Sequence, residues 1–311
     1  RINTILSELQ KKTYKKGTIE QKLSDFYKLA LNVDARNKAG ISPVKPLLDE
    51  MEAAKTKADL QKIQLKYAAQ GYGVSFGGGF GADEKNVKMN IFNLGQGGLT
   101  LGQKDYYVNN DAATVAIREA FKKYVQKMFQ LYGFSAEEAA QKEQAIFQHE
   151  TMLALISKSM TELRDPQANY NKMTLKEFQE KYPNLNFEAM CNAEGIKSEY
   201  IQEMIVGQPD FLAGLDKITA AENDNTLRAL MEWDVIQSSS SYLTDEIREA
   251  NFDFFGKTMS GRKEDYPLWK RATSQVEAQL GEPLGRMYCK RYFPESSKKI
   301  MLELVKNLQV S

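Results

Sequence analysis

Histidine is almost missing from this sequence: His149 is the only one among 311 residues. Catalytic zinc sites usually take two or three histidines or a Cys/His mixture, and Ser-His-Asp and Cys-His mechanisms need an imidazole base. Any such chemistry would rest on one residue. Cysteine is nearly as scarce. Cys191 and Cys289 lie about a hundred residues apart with no Cys-x-x-Cys spacing. This excludes a disulfide-dense secreted scaffold and leaves the redox compartment open. No charge sign prevails: 42 Lys and Arg are interleaved with 41 Asp and Glu, for a net charge of +1. That removes the electrostatic footprint of a nucleic-acid or acidic-membrane binder. No apolar run approaches the roughly 18 residues of a membrane span, and no signal peptide is visible.

What the sequence does have is helical periodicity, with length for about two domains. In "DAATVAIREAFKKYVQKMFQLYGFS" the residues Ala113, Ala116, Ile117, Ala120, Phe121, Tyr124, Val125, Met128 and Phe129 fall on one helical face. Asp111 is the expected N-cap and Gly133 the expected C-cap. Ser135 with Ala-Glu-Glu opens a second helix, running to about residue 159, with a capping box. Further helices are expected over 2–11, 19–32, 44–52, 57–69, 175–182, 198–205, 211–220, 225–239, 244–255, 266–280, 283–292 and 296–308. "SSSS" at 238–241 lacks a Gly-x-Ser-x-Gly context and reads as helix packed closely on a neighbour. The first residue, Arg1, already lies in a helical pattern and the last residues complete another, so a piece of a larger protein is expected.

One stretch departs from this period. In "GYGVSFGGGFGADEKNVKMNIFNLGQGGLT", Val74, Phe76 and Phe80 precede an Ala-Asp-Glu-Lys-Asn turn and Val87, Met89 and Ile91 alternate after it. This predicts a β-hairpin over about 73–94. "GGGFGA" satisfies Gly-x-Gly-x-x-Ala, but a dinucleotide site needs a helix to follow, and here a turn and a strand follow. The expected fold is mainly α: a multi-helix lobe with this one short hairpin.

"QHETMLAL" has His149 and Glu150 where a His-Glu-x-x-His helix would begin, but the fifth position is Leu153. Leu153 lies on an apolar stripe with Ala139, Ile146, Phe147, Ala154 and Ile156, and reads as core. His149 then reads as a helix-surface or partly buried histidine.

Four segments, in order, resemble the neprilysin and endothelin-converting-enzyme family of zinc metalloendopeptidases. "GADEKNVKMNIFNLGQGGLTLGQKDYY" is similar to the family's hairpin and its Gly-Leu-Gly-Leu-Pro-x-Arg-Asp-Tyr-Tyr motif. "RDPQANYNKMTL" is similar to its Arg-x-Pro…Tyr-Asn-Lys-Met-Thr-Leu element. "LMEWDVI" resembles its Met-x-Trp segment, and "EPLGRMYCKRYFPESSKK" its Gly-Arg-Leu-Tyr stretch. In the first motif Thr100 stands for Gly, Gly102 for Pro and Lys104 for Arg. A disulfide of animal members falls here on Ala30 and Ala272, which implies a bacterial-type member without it. Cys191 and Cys289 are then expected to be free, buried or half-buried thiols.

The resemblance implies that residues 1–311 are the N-terminal helical lobe of a two-lobed peptidase, gating access of peptides and small polypeptides to a cavity. The family's His-Glu-x-x-His helix, its third zinc ligand and its Asn-Ala-x-Tyr strand would follow residue 311. Implied with it are zinc in the whole protein and none on this chain, no catalytic or metal-binding residue here, and substrate-contacting residues left unassigned. Also implied are peptide substrates and the chain's own C-terminal catalytic lobe as partners, no nucleic acid, and an extracytoplasmic site in a bacterium. Two other readings remain: a free-standing helical interaction protein, and an enzyme using carboxylates alone, near residues 81–86. In "RDPQANYNKMTL", Pro166 keeps Asp165 out of helix, so a turn between two helices is expected. Arg164 is expected to pair with a carboxylate, Glu150 being the candidate.

Overall fold

The computed structural model describes residues 1–70 and 76–310. In chain order the helices are α1 (Ile2–Leu9), α2 (Ile19–Leu31), α3 (Val33–Ala39), α4 (Lys45–Ala53) and α5 (Lys57–Ala68). The hairpin strands β1 (Phe76–Asp83) and β2 (Asn86–Gln96) come next. Then follow α6 (Asp105–Val108), α7 (Ala112–Leu131), α8 (Ala136–Ile156), β3 (Asn171–Thr174), α9 (Leu175–Lys181) and α10 (Phe187–Ala193). The rest is β4 (Glu203–Val206), α11 (Pro209–Ala221), α12 (Asp224–Ser239), α13 (Asp245–Asn251), α14 (Leu268–Tyr292) and α15 (Glu295–Val310). The protein is mainly α, as the periodicity requires.

The caps explain where the long helices begin and stop. Asp111 accepts a hydrogen bond from Thr114 N–H at 3.0 Å, and Ser135 and Glu138 form a complete capping box. Gly133 has φ +98°. There Gly133 N–H reaches Gln130 O and Phe134 N–H reaches Phe129 O, the Schellman pattern that ends α7. From Phe252 the chain widens into a π-helix over Phe252–Met259. Gly256 permits it, because a Cβ there would lie 2.2 Å from the Phe252 ring. The two helices expected over 266–292 join as α14 across a kink at Leu280, three residues before Pro283.

The chain forms two compact units. The terminal unit, Arg1–Lys38 with Arg262–Ser311, packs α1 and α2 with α14 around Leu6, Leu23, Tyr27 and Val276. Ala30 and Ala272 are both buried in this core as plain aliphatic contacts. In α15 no residue is buried.

The central unit, Ala39–Gly261, has two cores. In one, Phe121, Met128 and Phe129 of α7 meet Trp233 and Ile236 of α12, and Tyr124 stacks on Phe254 at 4.8 Å. In the other, Phe178 of α9 and Phe211 and Leu212 of α11 pack on a sheet. That sheet is larger than the expected hairpin, with strand order β1-β2-β4-β3. β1 and β2 pair antiparallel, β4 joins β2 in parallel with Phe92 opposite Met204, and β3 pairs antiparallel with β4. The hairpin itself is confirmed from residue 76; its expected first residues, 73–75, lie outside the described residues. Gly78 leaves room for the Phe92 ring, since a Cβ there would come within 2.7 Å of it and force the ring to shift.

The helix expected over 198–205 is corrected. Ser198–Tyr200 is a single 3-10 turn, and Glu203–Val206 is β4. "EMIV" is short, apolar and buried on three of its four residues, a pattern that fits an inner strand and that periodicity does not separate from a helix.

Candidate functional site

His149 and Glu150 both face inward from α8, at 3% and 2% exposure. The reading of His149 as a surface or half-buried residue is therefore corrected. Leu153 is core, as its stripe predicted.

Glu150 is the acceptor at the centre of a hydrogen-bond network. Thr100 Oγ1–H donates to its Oε1 at 2.6 Å, Thr100 N–H to its Oε2 at 3.3 Å, and Tyr107 O–H also donates to Oε2. Leu101 N–H donates to the Tyr107 oxygen at 3.0 Å. The Thr100 hydroxyl in turn accepts from Trp233 Nε1–H at 3.0 Å and from Gln237 Nε2–H at 3.1 Å. Burial pushes the Glu150 carboxyl up to about 7, and the Thr100 and Tyr107 donors offset part of that. Burial also holds the Tyr107 phenol well above its ordinary range, with the Glu150 charge adding to it.

This network explains the "GGLTLGQKDYY" segment and its departures. Thr100, in the place of a glycine, supplies the hydroxyl on which loop, α8 and α12 converge. Gly102 has φ +83°, which a proline ring held near −65° does not adopt, so the turn is of a different kind from the proline-bearing one. Lys104 donates to Ser157 O at 2.7 Å, at the end of α8.

A second buried carboxylate lies on α12. Glu232 is fully buried and stands 2.7 Å from Lys142 Nζ, which also pairs with Glu52 at 2.7 Å. Burial raises the Glu232 carboxyl to about 8, with the neighbouring Glu52 adding to the rise and Lys142 opposing it.

Beside the Glu150 network is a cavity of about 270 Å³, with Thr100, His149, Glu150, Glu222, Trp233 and Gln237 on its polar side. Leu215, Leu227, Leu230 and Met231 line its apolar side. His149 Nδ1 stands 2.9 Å from Glu222 Oε1, within ion-pair reach. The two are not aligned as a hydrogen bond: both ring nitrogens and that carboxylate oxygen lack a hydrogen-bond partner.

Arg164 is not where the sequence pointed. It is exposed at the end of a 3-10 turn, no carboxylate lies within ion-pair distance among the described residues, and Glu150 is bound by Thr100 and Tyr107 instead. The motif's organising residues are its short polar ones. Asp165, extended before Pro166, accepts from Gln167 N–H and Ala168 N–H. Asn169 donates to Asp165 O at 2.6 Å and accepts from Gln208 Nε2–H at 2.9 Å. The turn leads first into β3, whose Thr174 then caps α9 with a full capping box.

Of the residues in the carboxylates-alone reading, Asp83 is committed to structure. Asp83 accepts from Lys85 N–H and from Tyr170 O–H at 2.8 Å, tying the hairpin turn to the neighbouring loop. Of the two thiols, Cys191 is buried and pushed up to about 12 by that burial, whereas Cys289 is exposed, contrary to expectation; both are free. Among the described residues no three His, Cys, Asp or Glu side chains converge as metal ligands, so the residues present do not fit zinc. Nor is any helix among them long and apolar enough to cross a membrane.

The comparisons with known proteins agree with the segment resemblance. Residues 1–311 match the profile of Peptidase family M13. Endothelin-converting enzyme 1 of Bos taurus is 24% identical over 306 residues, covering 96% of this chain and 40% of its own length. The human form is 28% identical over 227 residues, or 72% of this chain. Among solved structures, the Mycobacterium tuberculosis zinc metalloprotease Zmp1 in its open state superposes with TM-score 0.90 at 26% identity. That match covers 99% of this chain and 48% of Zmp1. The chain thus spans less than half the length of these proteins, and within that span it belongs to Peptidase family M13, as the N-terminal portion of that fold.

Proposed function

We propose that this chain is the substrate-gating lobe of a zinc metalloendopeptidase that hydrolyses peptides and small polypeptides outside the cytoplasm of a bacterium. The observation that carries the reading is likeness over the full chain, with TM-score 0.90 over 99% of it to a zinc metalloprotease solved in an open state. Zinc, and the base that activates its bound water, would belong to sequence that the relatives carry beyond the matched portion. This chain's part is to build one wall of the chamber and hold it rigid.

The surface of α15 supports this. Ile300, Leu302, Val305 and Leu308 are all exposed on it, and a helix this apolar gains stability by packing against further protein. The buried Glu150 network supports it differently: it is fully bonded and serves to fix a loop, with no free group left for chemistry.

The test uses two proteins, the 311-residue chain and the complete product of its gene. The complete protein should cleave a quenched peptide and lose that activity to a chelator. The chain alone should neither bind zinc tightly nor cleave. One-to-one zinc on the chain that disappears in His149→Ala would overturn the reading, as would a complete gene product without a His-Glu-x-x-His helix.

A further inference from the structure

Among the described residues of the central unit, one buried pair of groups meets at ion-pair distance without a hydrogen bond. His149 is 3% exposed and lines the cavity, and neither of its ring nitrogens has a hydrogen-bond partner. Glu222 Oε1, 2.9 Å from Nδ1 and also buried, has none either. Buried polar groups left in this state destabilise a fold unless something bonds them. Their neighbours are already engaged. Glu150 is saturated by Thr100 and Tyr107, and Lys57 Nζ donates to the main-chain oxygens of Thr219 and Glu222 at 2.6 and 2.9 Å.

We propose that this cavity binds a primary ammonium group carried on a short aliphatic stem. The Glu222 carboxylate and one His149 ring nitrogen accept its protons, while Leu227, Leu230 and Met231 surround the stem. The chemistry of the leftover atoms selects the ligand. Glu222 Oε1 and the ring nitrogen without a proton accept, and the other ring nitrogen donates, so acceptors outnumber donors and the pair calls for a donor. An ammonium brings three donors and no acceptor, together with a positive charge. Carboxylates outnumber basic groups on the wall, with Glu150, Glu222 and Asp234 against Lys57 and His149, which disfavours an anion. An alcohol of the same length offers one proton and no charge. The apolar side of the cavity suits a hydrocarbon stem and offers little to a compact polar ion. This chemistry occurs at the end of a lysine side chain and in a free alkylamine. The inference rests on the central unit alone and stands apart from the peptidase reading.

Because His149 is the only histidine, its imidazole gives a single set of signals in a proton–nitrogen spectrum. The 311-residue chain is titrated with n-pentylammonium, n-pentanol and pentanoate while those signals are followed. Pentylammonium should move them saturably and bind at least about tenfold more tightly than pentanol, and pentanoate should leave them in place. Glu222→Gln should weaken pentylammonium about tenfold or more. Competition by a capped Ala-Lys-Ala peptide, but not by its norleucine counterpart, identifies a lysine side chain as the source. Binding of pentylammonium without peptide competition identifies a free amine. The proposal is overturned if pentylammonium at millimolar concentration leaves the signals unmoved, if pentanol or pentanoate binds as well, or if a folded Glu222→Gln binds equally. The three-ligand series on the unaltered chain decides the matter even if that variant fails to fold.

Discussion

Glu150 on α8 and Glu232 on α12 are both carboxylates buried in the central unit, and the fold accommodates them in opposite ways. Glu150 is held by neutral donors, two from Thr100 and one from Tyr107, and reaches Trp233 and Gln237 through the Thr100 hydroxyl. Glu232 is held by a cation, Lys142, which it shares with Glu52. Neutral hydrogen bonds are directional and polarise one another, so the Glu150 centre fixes the geometry of the 98–107 loop against two helices. An ammonium is a compact point charge on a flexible stem, so the Glu232 centre neutralises charge and tolerates small shifts. One site specifies shape and the other compensates burial. The loop segment "GGLTLGQKDYY", which resembles the family's motif, lies at the first.

The largest effect should come from Trp233, where packing and the Glu150 network meet. Trp233→Ala removes an indole stacked on Phe129 at 5.9 Å and should cost about 4 kcal/mol in urea unfolding. Trp233→Phe keeps most of the ring and drops only the N–H to Thr100, so about 1 kcal/mol is expected. Equal losses for the two variants would mean that the hydrogen bond, and not the ring, dominates. Next comes Glu150→Ala, which leaves the Tyr107 and Thr100 donors unmet in the interior and should cost about 3 kcal/mol. Its specific mark is hydrogen exchange: the Thr100 and Leu101 amides should lose protection well beyond the global change. Protection unchanged at those two amides would remove the shape-fixing role.

Lys142→Met tests the other half of the comparison and should cost about 2 kcal/mol, because the buried Glu232 carboxyl, already inclined to hold its proton, loses the Lys142 donor. Adding Glu232→Gln to Lys142→Met should recover most of the loss, since no buried acid is then left without its cation. A double variant no more stable than Lys142→Met would show that Lys142 contributes by packing over Phe134, 4.7 Å from the ring centre, and not by compensating charge. The Thr100 and Leu101 amides should keep their protection in both variants.

Much of the fold was legible in the sequence, because helix periods and caps are local. Asp111, Ser135 with Glu138, and Gly133 act where their chemistry predicts. β3 and β4 were not legible: each is four residues long, and β4 is a strand because Phe92 and Leu94 of β2 lie beside it, more than a hundred residues earlier. The site was legible only as a family pattern. "TLGQKDYY" and "MEWD" stood out by resemblance, but nothing local says that Thr100, Tyr107 and Trp233 converge on Glu150. Arg164 misled for a related reason. A conspicuous charge beside a proline drew the pairing, whereas the turn is built by Asp165 and Asn169, whose side chains bond to the main chain within a few residues. Long-range polar convergence has no period, so composition and spacing do not encode it.

The smallest expected effect is a pH dependence that weighs the two carboxylates against each other. Burial raises Glu150 to about 7 and Glu232 to about 8, and both titrate near 4.5 once unfolded. A raised carboxylate binds more protons in the folded state, so its contribution is greatest at low pH and is lost as pH rises from about 4.5 to the folded value. Between pH 6 and pH 7 each should therefore withdraw about 1 kcal/mol of stability. Cap carboxylates such as Glu138 and Glu177 are lowered instead, chiefly by the Ser135 and Thr174 groups they cap, and act with the opposite sign only below about pH 4.5. Wild-type stability should thus peak near pH 5 and decline through neutrality. Glu150→Gln should lose most of its share of the decline below pH 7, while Glu232→Gln should also flatten the curve between pH 7 and 8, where Glu150 is more than half ionised and has less left to lose. Thermal unfolding of the three proteins at half-unit pH steps decides the point. A wild-type midpoint that climbs from pH 6 to pH 8 would mean that water or a shifted Lys142 relieves the burial of both acids, and the contrast between neutral donors and a counterion would collapse.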